Sequence, residues 1–90
     1  MSKRRTRMDI ISDILVAIQR KGGVIKPTHL LYKANLSHKL MNSYLEELLE
    51  KELISKIEKN NHQYITIQDQ GLQFLEKFNK LREFQDAFGL

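Results

Sequence analysis

The segment from Lys26 to Glu58 constrains the fold more than any other part of the chain. Pro27 suits the first position of a short helix, because the amide proton that proline lacks would have no partner there. The next run, Ala34-Asn35-Leu36, indicates a tight turn, since asparagine tolerates turn backbone conformations. Ser37 is a strong N-cap for a second helix, because its hydroxyl can accept a hydrogen bond from an unpaired amide of the first helical turn.

The second helix of this segment, expected from His38 to about Lys51, has an apolar face and a polar face. At about 100° per residue, the apolar side chains cluster on one side: Leu40, Met41, Tyr44, Leu45, Leu48 and Leu49. The polar side chains cluster on the other side: Lys39, Asn42, Ser43, Glu46 and Glu50. The preceding short helix, about Thr28 to Lys33, is expected to bury Leu30, Leu31 and Tyr32.

Further elements are expected on both sides of this pair of helices. An amphipathic helix from Met8 to Lys21 ends at two glycines, and a short edge strand at Val24-Ile25 follows it. The β-branched and aromatic content favours strands over Leu53 to Lys59 and His62 to Ile67, joined by a polar hairpin turn. A last helix is expected to follow, with Asp69 as its cap and its end near Phe88.

This order of helix, strand, helix, turn, helix, hairpin and helix is typical of a winged helix-turn-helix. The expected fold class is α+β, mainly helical, with a long C-terminal coiled-coil helix. We divide the chain into a basic flexible arm at residues 1–7, a winged helix-turn-helix domain at residues 8–68 and a C-terminal dimerisation helix at residues 69–90.

The positive charge of the chain is concentrated in its N-terminal third. Residues 1–33 carry eight Lys and Arg against two Asp, a net charge of +6, whereas residues 34–58 carry −2 and residues 59–90 are neutral. Such asymmetry favours a polyanionic partner, although a solvated arm that only aids solubility has the same composition.

These patterns favour binding of double-stranded DNA. The second helix of such a motif enters the major groove with its N-terminal residues, here Ser37, His38, Lys39, Asn42 and Ser43. The hairpin loop would be the wing and contact the backbone or minor groove with Lys59, Asn60, Asn61 and His62. The arm would contribute salt-sensitive phosphate contacts from Lys3, Arg4, Arg5 and Arg7. The acidic C-terminal half of the helix leaves a second possibility open, a protein–protein interaction module without DNA binding.

Three phrases of the chain resemble a known family. These are Leu31-Tyr32-Lys33-Ala34-Asn35-Leu36-Ser37, Leu48-Leu49-Glu50-Lys51-Glu52-Leu53-Ile54, and Tyr64-Ile65-Thr66-Ile67 followed by Gly71-Leu72-Gln73-Phe74-Leu75. They look like the small archaeal winged-helix DNA-binding proteins, of the Sulfolobus ten-kilodalton chromatin-protein type and related transcriptional regulators. Gln70 stands where that family usually has a lysine. The resemblance implies a DNA-binding homodimer joined by an antiparallel coiled coil of the last helices, in the cytoplasm and associated with the nucleoid.

The last helix itself carries a seam suited to pairing. Its residues alternate at spacings of four and three, as in the a and d positions of a coiled coil: Phe74, Phe78, Leu81, Gln85 and Phe88. Leu72 and Leu75 lie on another side and are expected to face the domain. The alternative is that the aromatic side chains fold back onto the core of their own domain.

Catalysis, cofactors, metals and membranes are not expected. The three histidines lack a second ligand at i+3 or i+4, and the chain has no cysteine. The glycine pair lacks the spacing of a phosphate-binding loop. No apolar run approaches the roughly 20 residues that span a bilayer.

Overall fold

The computed structural model describes residues 5–90 and contains four helices and three strands within them. In chain order they are α1 (Arg7–Arg20), β1 (Val24–Ile25), α2 (Pro27–Ala34), α3 (His38–Glu50), β2 (Ile54–Lys59), β3 (His62–Ile67) and α4 (Asp69–Ala87). This architecture is a winged helix-turn-helix, and the expected fold class is confirmed.

The first helix begins one residue before its expected start, because its cap lies inside the segment predicted to be a flexible arm. The Thr6 hydroxyl accepts a hydrogen bond from the Asp9 amide at 3.1 Å, and the Thr6 amide donates to the Asp9 carboxylate at 2.9 Å. This reciprocal capping box satisfies two amides that the helix cannot pair internally. Residues 5–7 therefore belong to the folded domain, which corrects the boundary of the arm.

The turn between α2 and α3 has the geometry that its sequence indicates. Asn35 adopts the left-handed conformation at φ 54° and ψ 56°, and the Leu36 amide donates to the Leu31 carbonyl at 3.3 Å. The Ser37 hydroxyl then accepts a hydrogen bond from the Leu40 amide at 3.2 Å. Both the turn and the cap of α3 are confirmed.

The three strands form an antiparallel sheet in the order β1-β3-β2. Lys59 pairs with His62 across the hairpin, so Asn60 and Asn61 alone form the loop. Both asparagines have positive φ, at 52° and 65°, as a type I′ turn requires. The predicted wing is therefore a regular two-residue hairpin.

A single apolar core lies between α1, α2, α3 and the sheet. It is built from Ile11, Ile14, Leu15, Ile18, Ile25, Leu30, Ala34, Met41, Leu45, Leu48, Ile54, Ile65 and Leu75. Leu75 is the contribution of α4, which packs on α1. The core fixes α3 through one face and leaves its opposite face in solvent.

The start of α4 differs from the expectation in one detail. Gln68, and not Asp69, is the N-cap residue, and it makes no side-chain capping bond. The Gln68 amide instead donates to the Leu53 carbonyl at 2.9 Å, and its side chain donates to the Ser55 hydroxyl at 2.7 Å. Tertiary contacts thus hold this helix start, while Asp69 only adds a negative charge to the first turn.

The two halves of α4 have different surroundings. Leu75 is buried and Phe74 packs against the core, whereas every residue from 79 to 90 is exposed. Leu72 is 41% exposed, so the expectation that it faces the domain is wrong. Over the described residues, no helix is both long enough and apolar enough to cross a membrane.

Candidate nucleic-acid interface

The N-terminal half of α3 presents the polar side chains that the sequence pattern assigned to its outer face. Ser37, His38, Lys39, Asn42 and Ser43 are all exposed, while Met41, Leu45 and Leu48 anchor the opposite face. The Ser37 hydroxyl accepts the capping hydrogen bond from the Leu40 amide and keeps its own O–H to donate. Together the five side chains bring one lysine, one amide, one imidazole and two hydroxyls to the same end of one helix.

The C-terminal half of α3 is acidic on its outer face. Glu46 and Glu50 are exposed, and both follow Lys39 and Ser43 along the outer stripe of the helix. Carboxylates repel phosphates, so only the first two turns can approach a nucleic acid closely. This restricts the usable surface to the helix end where base-reading residues of such motifs lie.

Two hydrophobic side chains near this surface are less buried than their patterns predict. Leu40 is 41% exposed and Tyr32 is 80% exposed. On α2, the side chains of Leu30, Leu31 and Ala34 cover the inner face, and Tyr32 lies outside that arc. Tyr32 is therefore an additional polar contact candidate. Helical periodicity, at about 100° per residue, could have identified it, because it places Tyr32 outside the apolar arc of α2.

Arg7 belongs to the folded domain and faces α3. As the first residue of α1, it donates a hydrogen bond to the Glu47 carboxylate, and its guanidinium lies 5.9 Å from the centre of the Tyr44 ring. The hydrogen bond to Glu47 raises the pKa of Arg7. Arg7, predicted to be part of a flexible arm, is thus helical and paired with a carboxylate of α3, while its contact with DNA stays a prediction.

Arg5 is also held by the protein. Its guanidinium donates to the Asp13 carboxylate at 3.0 Å, to the Ala34 carbonyl at 2.8 Å and to the Asn35 carbonyl at 3.0 Å. These partners belong to α1 and to the end of α2. Two of the four predicted arm residues thus have partners within the protein, and the other two, Lys3 and Arg4, lie outside the described residues.

The wing brings the other predicted residues into solvent. Lys59, Asn60, Asn61 and His62 are all exposed at the tip of the hairpin. The tight turn fixes the backbone positions of Asn60 and Asn61, since both are held at positive φ. The tip can therefore donate and accept hydrogen bonds and carries one permanent positive charge.

Other basic side chains of the N-terminal third lie away from α3 and the wing. Arg20, Lys21, His29 and Lys33 border a groove of about 550 Å³ between α1 and α2, together with Asp13 and the apolar floor of Val16, Ala17 and Ile25. No residue of α3 or of the wing lines this groove. Of the described basic residues of this third, Arg5 and Arg7 are thus paired with carboxylates, while Arg20, Lys21 and Lys33 line the groove.

The seam residues of α4 change from packed to solvent-exposed along the helix. Phe74 and Phe78 are half-buried and stack at 5.8 Å, with the Arg82 guanidinium 5.3 Å from the Phe78 ring. Leu81, Phe84 and Phe88 are 52%, 59% and 67% exposed. Gln85 lies among them and is exposed as well. The projecting half of α4 therefore carries a large apolar surface with no covering element among residues 5–90.

Residues 5–90 contain no group of three or more His, Asp or Glu side chains that could hold a metal ion.

Comparison with protein families matches residues 4–86 to the winged helix-turn-helix family. This family match fits the expectation from the sequence that the chain is not an enzyme. No curated protein sequence matches the chain significantly.

Solved structures share the fold at low sequence identity. Sso10a-2, a DNA-binding protein from Sulfolobus solfataricus, has a TM-score of 0.75 and 23% identity over 94% of this chain and 90% of that chain. F93 from STIV, a winged-helix DNA-binding protein, has a TM-score of 0.74 and 12% identity over 91% and 92% of the two chains. MepR, a transcription regulator of the Staphylococcus aureus multidrug efflux pump MepA, has a TM-score of 0.76 and 13% identity over 89% and 61%. With a family match over most of its length and this shared fold, the chain belongs to the winged helix-turn-helix family.

Proposed function

We propose that this protein binds double-stranded DNA as a homodimer and acts as an archaeal transcriptional regulator or chromatin-associated protein. The observation that carries the proposal is the exposed polar end of α3, with Lys39, Asn42 and Ser43 opposite its buried anchors. This end of the helix is the part that a helix-turn-helix inserts into the major groove.

The chemistry of these side chains suits base edges and phosphates. Asn42 can bond bidentately to adenine, and Lys39 can donate to guanine or to a phosphate. His38 and Ser43 can add single hydrogen bonds to the backbone or to a base. Glu46 and Glu50 oppose a deeper approach, so the helix is expected to enter the groove by its N-terminal end.

The wing would supply a second contact, to the backbone or the minor groove. Lys59 can pair with a phosphate, while Asn60, Asn61 and His62 can bond to phosphate or minor-groove acceptors. Lys3 and Arg4 would add sequence-independent contacts from the N-terminal end of the chain.

A homodimer would place two such surfaces on one duplex. The projecting half of α4 exposes Leu81 and Phe88 around the polar Gln85, at the spacing of a coiled-coil seam. Pairing with a second copy would remove this apolar surface from water, and a buried glutamine can fix the register of the pair. An antiparallel pair has two-fold symmetry, so it would present two equivalent copies of α3 to two half-sites.

The proposed cellular location follows from the proposed partner, double-stranded DNA. The chain matches almost the full length of the Sulfolobus solfataricus DNA-binding protein, which supports an archaeal protein of this small type. We place it in the cytoplasm, in association with the nucleoid.

A binding titration of a random duplex at two salt concentrations tests this proposal. The Lys39→Ala/Asn42→Ala double variant is expected to bind the duplex more weakly and, if Lys39 contacts a phosphate, to lower the slope of log K against log salt by about 0.9. The matched control is Lys77→Ala/Asn79→Ala, which removes the same two side-chain types from exposed positions on α4. Equal affinities of the two double variants would contradict the assignment of α3.

The second candidate function is a protein-interaction module, favoured by the exposed carboxylates of Glu46 and Glu50. It predicts that the intact protein binds no duplex even at low salt. Under this function, a partner recovered by pull-down would be lost in the Glu46→Gln/Glu50→Gln variant.

A further inference from the structure

We infer that Arg5 is a positioning residue that holds the turn between α2 and α3 in the conformation of this structure, and that it does not contact phosphate. In its sequence context Arg5 looks like one of four equivalent cations of a DNA-binding arm. The inference about DNA affinity rests on the proposed function, whereas the inference about the turn does not.

The guanidinium of Arg5 lies at the C-terminal end of α2. Nη1 donates to the carbonyl of Ala34, the last residue of the helix, and Nη2 donates to the carbonyl of Asn35, its C-cap. The last carbonyls of a helix have no amide partner within it, and the helix dipole makes this end negative. A guanidinium can pair with two of these carbonyls, because its planar fork offers two parallel donors, and its positive charge interacts favourably with the negative end of the helix dipole.

A second set of contacts fixes where the guanidinium can go. Nη1 of Arg5 also lies 3.0 Å from Oδ2 of Asp13, on α1. The side chain of Arg5 is 34% exposed and that of Asp13 is 47% exposed, so the pair lies at the edge of the domain. Arg5 therefore joins α1 to the end of α2, and these contacts use three of the five N–H donors of its guanidinium.

The carbonyl that Arg5 holds belongs to the residue on which the direction of α3 depends. Asn35 is in the left-handed conformation, which is sparsely populated by residues with a side chain and persists where surrounding contacts hold it. Only Leu36 separates it from Ser37, the cap of α3. A change in the backbone at Asn35 would rotate the whole of α3 relative to α2.

The neighbouring arginine acts on the same helix from the same segment. Arg7, two residues after Arg5, donates a hydrogen bond to the Glu47 carboxylate in α3. Residues 5–7 thus contact the start of the turn and the body of α3. Two basic residues of the apparent arm hold the motif together and so leave its binding surface to α3 and the wing.

Hydrogen exchange of the protein without DNA tests the turn directly. We compare the wild type with Arg5→Lys, which keeps the charge but loses the fork, and with Arg5→Gln, which keeps a donor but loses the charge. Both are expected to exchange the amides of Asn35, Leu36 and Leu40 about 10- to 100-fold faster, as for the loss of one charged hydrogen bond, while amides in the hairpin keep their rates. Unchanged exchange at the turn in both folded variants would overturn the inference.

The salt dependence of DNA binding separates positioning from phosphate contact. Each lost phosphate contact lowers the slope of log K against log salt by about 0.9. Arg5→Gln is expected to weaken binding with the slope of the wild type, whereas Lys39→Ala lowers the slope if Lys39 contacts a phosphate. A lowered slope in Arg5→Gln would overturn the inference.

Asp13→Asn gives a prediction of opposite sign for the two roles. If Arg5 contacted phosphate, removing the competing carboxylate would tighten binding, and the higher net charge would act in the same direction. If Arg5 positions the turn, loosening its hold weakens binding by severalfold. Asp69→Asn is the matched control, because it makes the same change in charge on an exposed carboxylate at the start of α4. Tighter binding in Asp13→Asn than in this control would contradict a positioning role for Arg5.

Absence of duplex binding by the wild type would refute the proposed function. The hydrogen-exchange result would still decide whether Arg5 holds the turn.

Discussion

Arg82 of α4 donates a hydrogen bond of 3.3 Å to Asp9 of α1, a residue 73 positions earlier in the chain. The same Asp9 carboxylate closes the capping box with Thr6, at the start of the helix. The helix proposed to pair two protomers is thus tied to the element that also contacts α3 through Arg7. The contact therefore links the proposed dimer helix, through α1, to the helix that carries the proposed DNA-binding surface.

A double-mutant cycle measures this connection. Arg82→Ala and Asp9→Asn are expected to show a coupling of about 0.2–1 kcal/mol in the free energy of unfolding, because the pair is partly exposed and screened by salt. The coupling should fall when urea unfolding is repeated at high ionic strength. Additive single effects at low salt would show that the two side chains do not interact.

Gly71→Ala is expected to destabilise the fold by about 1–3 kcal/mol, as for overpacking of a tight contact. A Cβ at this position would lie 2.5 Å from the Leu53 carbonyl oxygen and 2.7 Å from Cγ1 of Ile67. The Leu53 carbonyl cannot move away without losing the hydrogen bond that it accepts from the Gln68 amide. Thermal unfolding checks this, with exposed Gln73→Ala on the same helix as a control expected to be close to neutral. A neutral Gly71→Ala would show that α4 can shift outward.

Phe88→Glu and Leu81→Glu are expected to convert the proposed dimer to a monomer that remains folded. Both side chains are exposed and lie outside the apolar core, so a carboxylate there changes the proposed pairing surface and not the core. Light scattering gives the mass, and circular dichroism confirms the fold. Asn79→Glu introduces the same charge at an exposed position outside the seam and should stay dimeric. A wild type that is already monomeric would contradict the coiled coil.

Asn61→Gly separates the two roles of the wing tip. Glycine adopts the positive φ of this position without strain, so the hairpin should keep its stability, whereas Asn61→Ala is expected to lose about 1 kcal/mol. Loss of the amide in a stable hairpin should still weaken DNA binding if the wing contacts the duplex. Wild-type affinity of Asn61→Gly, measured by anisotropy titration, would remove Asn61 from the interface.

Much of the fold could be predicted from local signals. The ends of α2 and α3 and the hairpin loop follow from Pro27, Asn35, Ser37 and the Asn60-Asn61 pair, and each of these acts on its immediate neighbours. The exposed end of α3 follows from helical periodicity alone. The exposure of Leu40 does not, because it lies at the edge of the apolar arc, where the packing of neighbouring elements decides burial.

The sequence by itself determined the elements, their order and which face of α3 is polar, since these depend on backbone preferences over a few residues. Only the tertiary structure decided what the charges do. Arg5 finds its carbonyl partners 29 and 30 residues away, and Arg7 finds Glu47 40 residues away. A run of basic residues has the same composition whether it meets phosphate or the end of a neighbouring helix. The two differ only in which acceptors the fold brings within hydrogen-bonding distance.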